Sequence, residues 1–374
     1  MQQDIIKRVV VSFLESVPER NQTEANALLA TSPPAVSLQD AERVAGVCYP
    51  GFTECVPLSG ERDVNFRIAH KDGRALTLKF INTAEHLNET DMQVSVLKHL
   101  QRQGGVNAPC HHPANDAVLA KVQGIEPGVC EQGVTLDWVL YRPTGDNVSV
   151  RVRAYSYLEG LAGSHLVAKP QAWHALGSVV AGLGTQLAKF DHPAAHRKLL
   201  WDTCQVLGIR PMLNSLEDQA ELRMIEEFLN IFEQKVVPAL SHLPRQVIHN
   251  DLSPSNLLVD PEGSRPVGIL DFGDMVHAPR IAEIAVAASY QMANSTDPIS
   301  VLDALIEGYQ SEENLSAEER LHVIDLVLAR LVQRMVITSW RAVRFPANRP
   351  YIMRSHDAAK TLFVPLYDDW KHDK

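Results

Sequence analysis

The chain of 374 residues has no apolar stretch near the roughly 20 residues that a membrane-spanning helix needs, which excludes a helical span. Its opening, MQQDIIKRVVVSFLESVPER, holds a short apolar run from Val9 to Leu14. That run lies behind Asp4 and leads into charges rather than a small-residue cleavage site, so it is not a signal-peptide pattern. The five cysteines, Cys48, Cys55, Cys110, Cys130 and Cys204, are odd in number and include no CxxC pair. That argues against a disulfide framework or a structural zinc site and fits a reducing compartment. CHHP at Cys110–Pro113 has no second ligand pair at finger spacing and reads as a loop. No Lys/Arg run or basic patch occurs, and the formal net charge is −10, which weighs against nucleic acid and leaves room for a cationic partner. No internal repeat, low-complexity tract or GxGxxG loop is present. These absences imply a cytoplasmic protein with neither a membrane nor a nucleic-acid partner; they say nothing of oligomeric state.

What is present is the composition of an ordinary globule, 45% hydrophobic and 21% charged, in a chain too long for one small domain. Residues 1 to about 36 read as a helix closed by the breaker TSPPAVS (Thr31–Ser37), and Ser37 is placed to cap a short helix through Val44 and Val47. The run TECVPLSGERDVNFRIAHKDGRALTLKFIN then alternates with period two. It holds three strand candidates separated by Ser59-Gly60 and by the hairpin signal Asp72-Gly73. A helix is expected over Glu89–Arg102, with Met92, Val96, Leu97 and Leu100 on one stripe. NDAVLAKVQG, VTLDWVLYR and VSVRVRAYSYLEG add strands. From about Gly160 the period turns helical, in AWHALGSVVAGLGTQLAKF, LEDQAELRMIEEFLNIFEQKVVPALSHL, AEIAVAASYQMA, SVLDALIEGYQ and AEERLHVIDLVLARLVQRMVITSWRAV. The expected architecture is α+β and two-lobed, an antiparallel-sheet lobe over residues 1–157 and a mainly helical lobe over 158–374, with RAYSYLEG as the crossing.

Two apolar runs stop abruptly at polar residues, Val247-Ile248 before His249-Asn250-Asp251 and Ile269-Leu270 before Asp271. Asn256 stands five residues after Asp251, and Asp271 twenty after it. Taken singly, these three have ordinary explanations as a helix cap, a turn residue and a strand-end cap facing Gly273. Together, at the ends of two strands, an amide and two carboxylates suit a hard cation such as Mg²⁺ bound with phosphate oxygens. With Asn256 and Asp271 on the metal, Asp251 is left to take a proton from a hydroxyl nucleophile, the division of labour of kinase phosphoryl transfer.

HNDLSPSNLLVD with GILDFGDM resembles the catalytic loop and metal-binding segment of the aminoglycoside phosphotransferase and choline kinase superfamily, most closely its hydroxylysine kinase branch. EIAVAASY (Glu283–Tyr290) and TSWRAVRFPANRPYI (Thr338–Ile352) add to the likeness, which covers roughly residues 38–365. The resemblance implies a protein-kinase-like fold, ATP or GTP as phosphoryl donor, Mg²⁺ (or Mn²⁺) as the metal, Asp251 as base, Asn256 and Asp271 as metal ligands, and His249 as a scaffold residue. It also implies that Ser59 and Gly60 form a phosphate-covering turn and that Lys79 grips the α- and β-phosphates. Gln93, where the family's usual glutamate would align, would hold Lys79 by hydrogen bond only, with Glu89 and Asp91 nearby. Backbone groups near Tyr157 and Leu158 would meet the adenine edge.

No long activation segment or A-P-E element follows Gly273, so a small acceptor is expected rather than a protein. Asp274 is the candidate partner for a substrate ammonium. Arg330, Arg334, Arg341 and Arg344 fall at i, i+4, i+11 and i+14. They read as a solvated or salt-bridged face, from which Arg341, beside Trp340, is the candidate for a substrate carboxylate. Trp201-Asp202 reads as a buried aromatic with a capping aspartate, and Glu283 as a first-turn acid favoured by the helix dipole and outside the site. The expected activity is phosphoryl transfer from ATP to the hydroxyl of a hydroxy-amino acid or amino alcohol of the hydroxylysine, homoserine, choline or ethanolamine type. The alternatives are an aminoglycoside phosphotransferase, a catalytically inactive nucleotide or metabolite sensor, and a metal-dependent phosphohydrolase.

Overall fold

A computed structural model describes residue 29 and residues 31–60, 62–115, 124–129, 135–143, 145, 147–293 and 295–374. The expected helix over residues 1–28 and most of the expected strand over 115–124 lie outside them. Among the described residues, one compact unit comprises those up to Arg102 with Ala108–Leu158, and a second comprises Gln103–Asn107 and Glu159–Lys374.

The first unit opens with helix α1 (Leu38–Cys48), started by the expected cap: the Ser37 hydroxyl accepts from Asp40 N–H while the Asp40 carboxylate takes Ser37 N–H. Seven antiparallel strands follow, β1 (Phe52–Leu58), β2 (Val64–His70), β3 (Ala75–Phe80), β4 (His111–His112), β5 (Ile125–Val129), β6 (Thr135–Tyr141) and β7 (Val150–Ser156). They are ordered β1-β2-β3-β7-β6-β5, with β4 beside β7. Period two sorts β3: Leu76, Leu78 and Phe80 join Ala41, Val44, Ala45 and Cys48 of α1 in one core, while Thr77 and Lys79 face the other way. On that second face lies α2 (Leu87–Gln103), tied to β7 by Arg153, which bonds the Thr90 carbonyl and the Gln93 side chain.

The second unit is mainly helical around two small sheets. Strands β8 (Leu161–Ala162), β10 (Leu257–Val259) and β11 (Pro266–Ile269) form one, and β9 (Arg245–Ile248) pairs with β12 (Val276–Pro279) in the other. Its longer helices are α3 (Pro170–Leu187), α4 (Gln219–Ile231), α5 (Ile281–Met292), α6 (Pro298–Gln310), α7 (Ala317–Arg344) and α8 (His356–Asp373). A capping box of Ser316 and Glu319 starts α7, and Arg280 pairs with Glu319 at 2.6 Å, joining the start of α5 to that of α7. No helix of the described residues is long and apolar enough to cross a membrane. No individual helix was expected beyond Val343, whereas the structure closes with α8, which buries Phe363, Tyr367 and Trp370 against Phe228.

The first residue of α8 docks on the first turn of α4: His356 Nε2 lies 3.2 Å from Glu221, both buried. Burial works to lower the imidazole's pKa, but Glu221, with Asp357 behind it, outweighs that and holds it above its ordinary value. Stability from this pair is therefore complete below the unfolded pKa of about 6.5 and is lost as pH rises through the raised folded value. Melting temperatures of the wild type and His356→Gln should differ most in mildly acidic buffer and converge in alkaline buffer. A difference independent of pH would show that the charge of His356 contributes nothing.

Candidate active site

β9 delivers the chain to His249 at full burial, and three anchors then fix the turn. The His249 imidazole meets the Leu270 carbonyl through Nε2 at 2.9 Å and accepts Asp251 N–H at Nδ1 (3.3 Å), which sets the tautomer with hydrogen on Nε2. Its ring stands edge-on to Phe272 at 4.7 Å. Glu283 takes the N–H groups of His249 and Asn250, at 2.5 and 3.0 Å. Asn250 adopts the left-handed conformation (φ 65°), and its side-chain NH₂ bonds the carbonyls of Asp274 (3.1 Å) and Trp201 (3.4 Å).

Two of the three residues singled out by spacing meet, and the third follows the strand paired with them. Asn256 Nδ2 donates to both the carbonyl (3.0 Å) and Oδ2 (2.7 Å) of Asp251. The Asn256 carbonyl accepts Leu270 N–H at 2.8 Å, one step from Asp271, as the pairing of Leu257 with Ile269 requires. Asp271 is also left-handed (φ 55°) and exposed, and its Oδ1 accepts Gly273 N–H at 3.2 Å. Arg197 braces the turn from beneath through the carbonyls of Gly273 and Met275. The donor set fits a hard cation. The amide nitrogen of Asn256 is committed to Asp251, its oxygen accepts nothing from the described residues, and Asp271 adds an exposed carboxylate.

Two members of this arrangement were not read as such from the sequence. Glu283, expected as a dipole-favoured first-turn acid outside the site, clamps the loop 249–251. Burial pushes its carboxyl pKa up, against the charge of His249 and the two N–H bonds that pull it down. Arg330, taken for one of a solvated arginine face, is buried and pairs with Asp251 Oδ1 at 2.9 Å. Its guanidinium also bonds the Trp201 carbonyl (2.8 Å) and lies over the Trp201 ring at 4.8 Å. Asp202 caps the following 3₁₀ segment at Cys204 N–H, as expected, and burial pushes it up to about 6.

Of the two substrate candidates, one is buried and the other lies further along α7. Asp274 is buried, with its charge in the electrostatic surroundings of Arg330, so it is not an open carboxylate. Arg341 lies eleven residues, about 16 Å of helix rise, beyond Arg330. Its electrostatic neighbours are Tyr351 and Arg354, and the arginine against Asp251 is Arg330.

In the first unit, Lys79 is buried on β3 and pairs with Asp63 at 2.7 Å; the second Asp63 oxygen accepts Asn82 N–H, also at 2.7 Å. Gln93 corrects the expectation made for it. Its oxygen is taken by Arg153 and its nitrogen by Glu85 at 3.1 Å, so it bonds these rather than Lys79. Asp63 lies on the face of Asn65, the cross-strand partner of Lys79, which makes it a diagonal neighbour and a legible signal once the register is known. Asp63 follows the turn of Ser59 and Gly60, where a β-carbon on Gly60 would come within 2.4 Å of the Asp63 carbonyl. Tyr157 N–H bonds the Ala75 carbonyl at 3.0 Å, so an adenine edge could not use that N–H; Leu158 follows it half-buried.

Glu283→Gln keeps one acceptor oxygen but turns an NH₂ toward the second N–H. Hydrogen bonds to a charged group contribute about 1.5–3 kcal/mol, so denaturant titration should show a loss of that order, larger for Glu283→Ala. An unchanged midpoint in both would mean that the loop stands without the clamp.

Similarity to known proteins places the chain in a family. Residues 54–322 match the pattern described as the phosphotransferase enzyme family. The chain is 29% identical over 336 residues to a hydroxylysine kinase of Mus musculus, covering 84% of this chain and 82% of the relative. It is 25% identical over 317 residues to a hydroxylysine kinase of Danio rerio, covering 81% and 84%. Among solved structures it resembles a microcompartment-associated aminopropanol kinase (TM-score 0.67, 15% identity, 90% of this chain and 98% of that one). It also resembles amicoumacin kinase in complex with AMP-PNP (TM-score 0.60, 14% identity, 92% and 97%). These likenesses bear out the expected two-lobed α+β, kinase-like architecture, and with the family match covering most of its length the chain belongs to the phosphotransferase enzyme family.

Proposed function

We propose that the protein is an ATP-dependent kinase that transfers the γ-phosphoryl group to the hydroxyl of a small hydroxy-amino acid. The observation that carries this is Asn256, whose side chain holds Asp251 while its backbone holds Leu270 beside Asp271. In this reading Asp251 accepts the proton of the acceptor hydroxyl, and Asn256 and Asp271 are the oxygen donors to a divalent ion. A Mg²⁺ or Mn²⁺ held by these residues would supply neutralisation of the phosphate charge of ATP. Lys79, oriented by Asp63 instead of Gln93, grips the α- and β-phosphates. The Ser59-Gly60 turn covers the phosphates, and backbone groups around Tyr157 and Leu158 receive the adenine. The hydroxylysine kinases among the relatives, and a homoserine kinase of Zymomonas mobilis that is 32% identical over 108 residues (28% of this chain, 33% of that one), support a hydroxylated amino acid as the acceptor class.

The acceptor carboxylate is assigned to Arg334 in place of Arg341. Arg334 is buried, donates to the carbonyls of Ser289 (2.9 Å) and Ser355 (3.4 Å), and has an Nε without a hydrogen-bond partner among the described residues. It stacks on Tyr290 at 4.4 Å, and Asp251 lies within its electrostatic reach. Burial lowers its pKa, and no carboxylate among the described residues pairs with it. A buried cation of this kind gains from an incoming carboxylate.

An assay of ADP release over hydroxylated amino acids, amino alcohols and aminoglycosides tests the reading. Turnover should be best with a hydroxy-amino acid, and Asp251→Asn should lower kcat by about 10²–10⁴-fold. Arg334→Met should raise KM for that acceptor by about 30-fold or more, the range for truncating one side of a buried charge pair, while leaving an amino alcohol little changed. Phosphate release without acceptor would make the protein a hydrolase, absence of ADP throughout would make it a sensor, and preference for aminoglycosides would move it to that acceptor class.

A further inference from the structure

The proposed base is held from a direction that its own loop does not supply. Arg330 sits mid-way along α7, 79 residues from Asp251, with its side chain only 2% exposed. Its guanidinium forks: Nη2 donates to Asp251 Oδ1 at 2.9 Å and Nη1 to the Trp201 carbonyl at 2.8 Å. The Trp201 ring lies 4.8 Å from its centre, and the Tyr290 ring 5.8 Å. Asn256 meanwhile holds the other carboxylate oxygen at 2.7 Å. Asp251 is thus gripped at both oxygens by donors from two unrelated elements, which leaves its carboxylate plane little freedom to turn.

The same carbonyl of Trp201 also receives Asn250 Nδ2. Residue 250 of the loop and the guanidinium that holds residue 251 therefore share one anchor. That anchor is fastened to α7 a turn further on, where Gln333 Nε2 bonds the carbonyls of Leu200 (2.8 Å) and Asp202 (2.7 Å). The segment 200–202, the loop and α7 close into a ring of hydrogen bonds that contains the ion pair Arg330–Asp251. A guanidinium that only filled space could bond any carbonyl; this one spends its charge on the carboxylate that the reaction uses.

We propose that Arg330 is the positioning residue of the base: it fixes the direction in which Asp251 presents its carboxylate to the acceptor hydroxyl, and touches neither acceptor nor nucleotide itself. The proposal rests on the reading of Asp251 as base. Both tasks of the fork are needed, and the point charge of a lysine cannot span Trp201 and Asp251 together. Misplacing a reacting group by about 1 Å can cost on the order of 10²-fold in rate. Asp251 is partly open to water, so its carboxylate tolerates loss of the partner.

The test is steady-state kinetics of the full chain with radiolabelled ATP and the best acceptor of the screen, on Arg330→Met and Arg330→Lys, each alone and combined with Asp251→Asn. Arg330→Met should lower kcat by about 10²-fold with KM for ATP and acceptor near wild type, and Arg330→Lys should recover only a minor part. In the Asp251→Asn background neither substitution should cost more, because groups acting as a unit are not additive. Near-wild-type kcat in both variants, a rise confined to acceptor KM, or losses that multiply with that of Asp251→Asn would each overturn the proposal. Should Arg330→Met not fold, judged by its melting curve, Arg330→Lys carries the same comparisons, since it keeps the buried charge. Wild-type kcat in Asp251→Asn alone would remove the base reading itself, which is a separate result from any on Arg330.

Discussion

A buried carboxylate has to find donors in the protein, and the whole turn at residues 249–251 depends on where Glu283 finds them. Its two oxygens accept the N–H groups of His249 and Asn250, the residues at which β9 ends and the loop begins. These two N–H groups leave the sheet at burial and would otherwise be orphaned, at a cost comparable to a lost hydrogen bond each. The exchange satisfies a buried charge and two buried donors at once. It also places a loop at a fixed height against α5, from which the His249 imidazole reaches the Leu270 carbonyl and so ties the second aspartate's turn to the first.

The charges of this region are shared rather than paired off one to one. Asp251 receives Arg330 and Asn256, Tyr290 lies between Arg330 and Arg334, and Asp274 adds its buried charge to the surroundings of Arg330. Two buried guanidiniums one helical turn apart repel each other, and Arg334, with only carbonyl oxygens as acceptors, carries the uncompensated part. An anion beside Asp251 would meet that charge, whereas the net charge of −10 of the whole chain draws cations to the molecule at longer range. The proposed zwitterionic acceptor would answer both.

How much of this was legible in the sequence follows from the range over which each residue acts. Asp251, Asn256 and Asp271 stood out because apolar runs end at them and their spacing is short; Lys79 stood out because alternation in β3 puts it opposite Leu78 and Phe80. The unread partners act over long separations: Glu283 on a loop 33 and 34 residues earlier, Arg330 on one 79 residues earlier. Arg341 stood out for its place beside Trp340, and periodicity could not separate it from Arg330. Eleven residues at 100° each return to within about 20° of the same face. Height along the helix separates them, and only the packing of α7 against the segment 200–202 fixes which height meets Asp251. Gln93 was mistaken for a similar reason: a helix position opposite a strand can serve any of several side chains on that face, and here Arg153 takes it.

The backbone conformation of Asn250 argues that the loop is held in place rather than resting there. Left-handed φ is uncommon for residues other than glycine, and a glycine would adopt it without strain. Asparagine is among the residues that tolerate it best, yet its Oδ1 here is buried without a hydrogen-bond partner among the described residues, a further cost. What glycine could not supply is the Nδ2 group that spans the carbonyls of Trp201 and Asp274. The strain at Asn250 and the unmet oxygen are therefore offset by a cross-tie to the Trp201 segment that carries Arg330, so that the conformation of residue 250 and the aim of residue 251 are set by the same anchor.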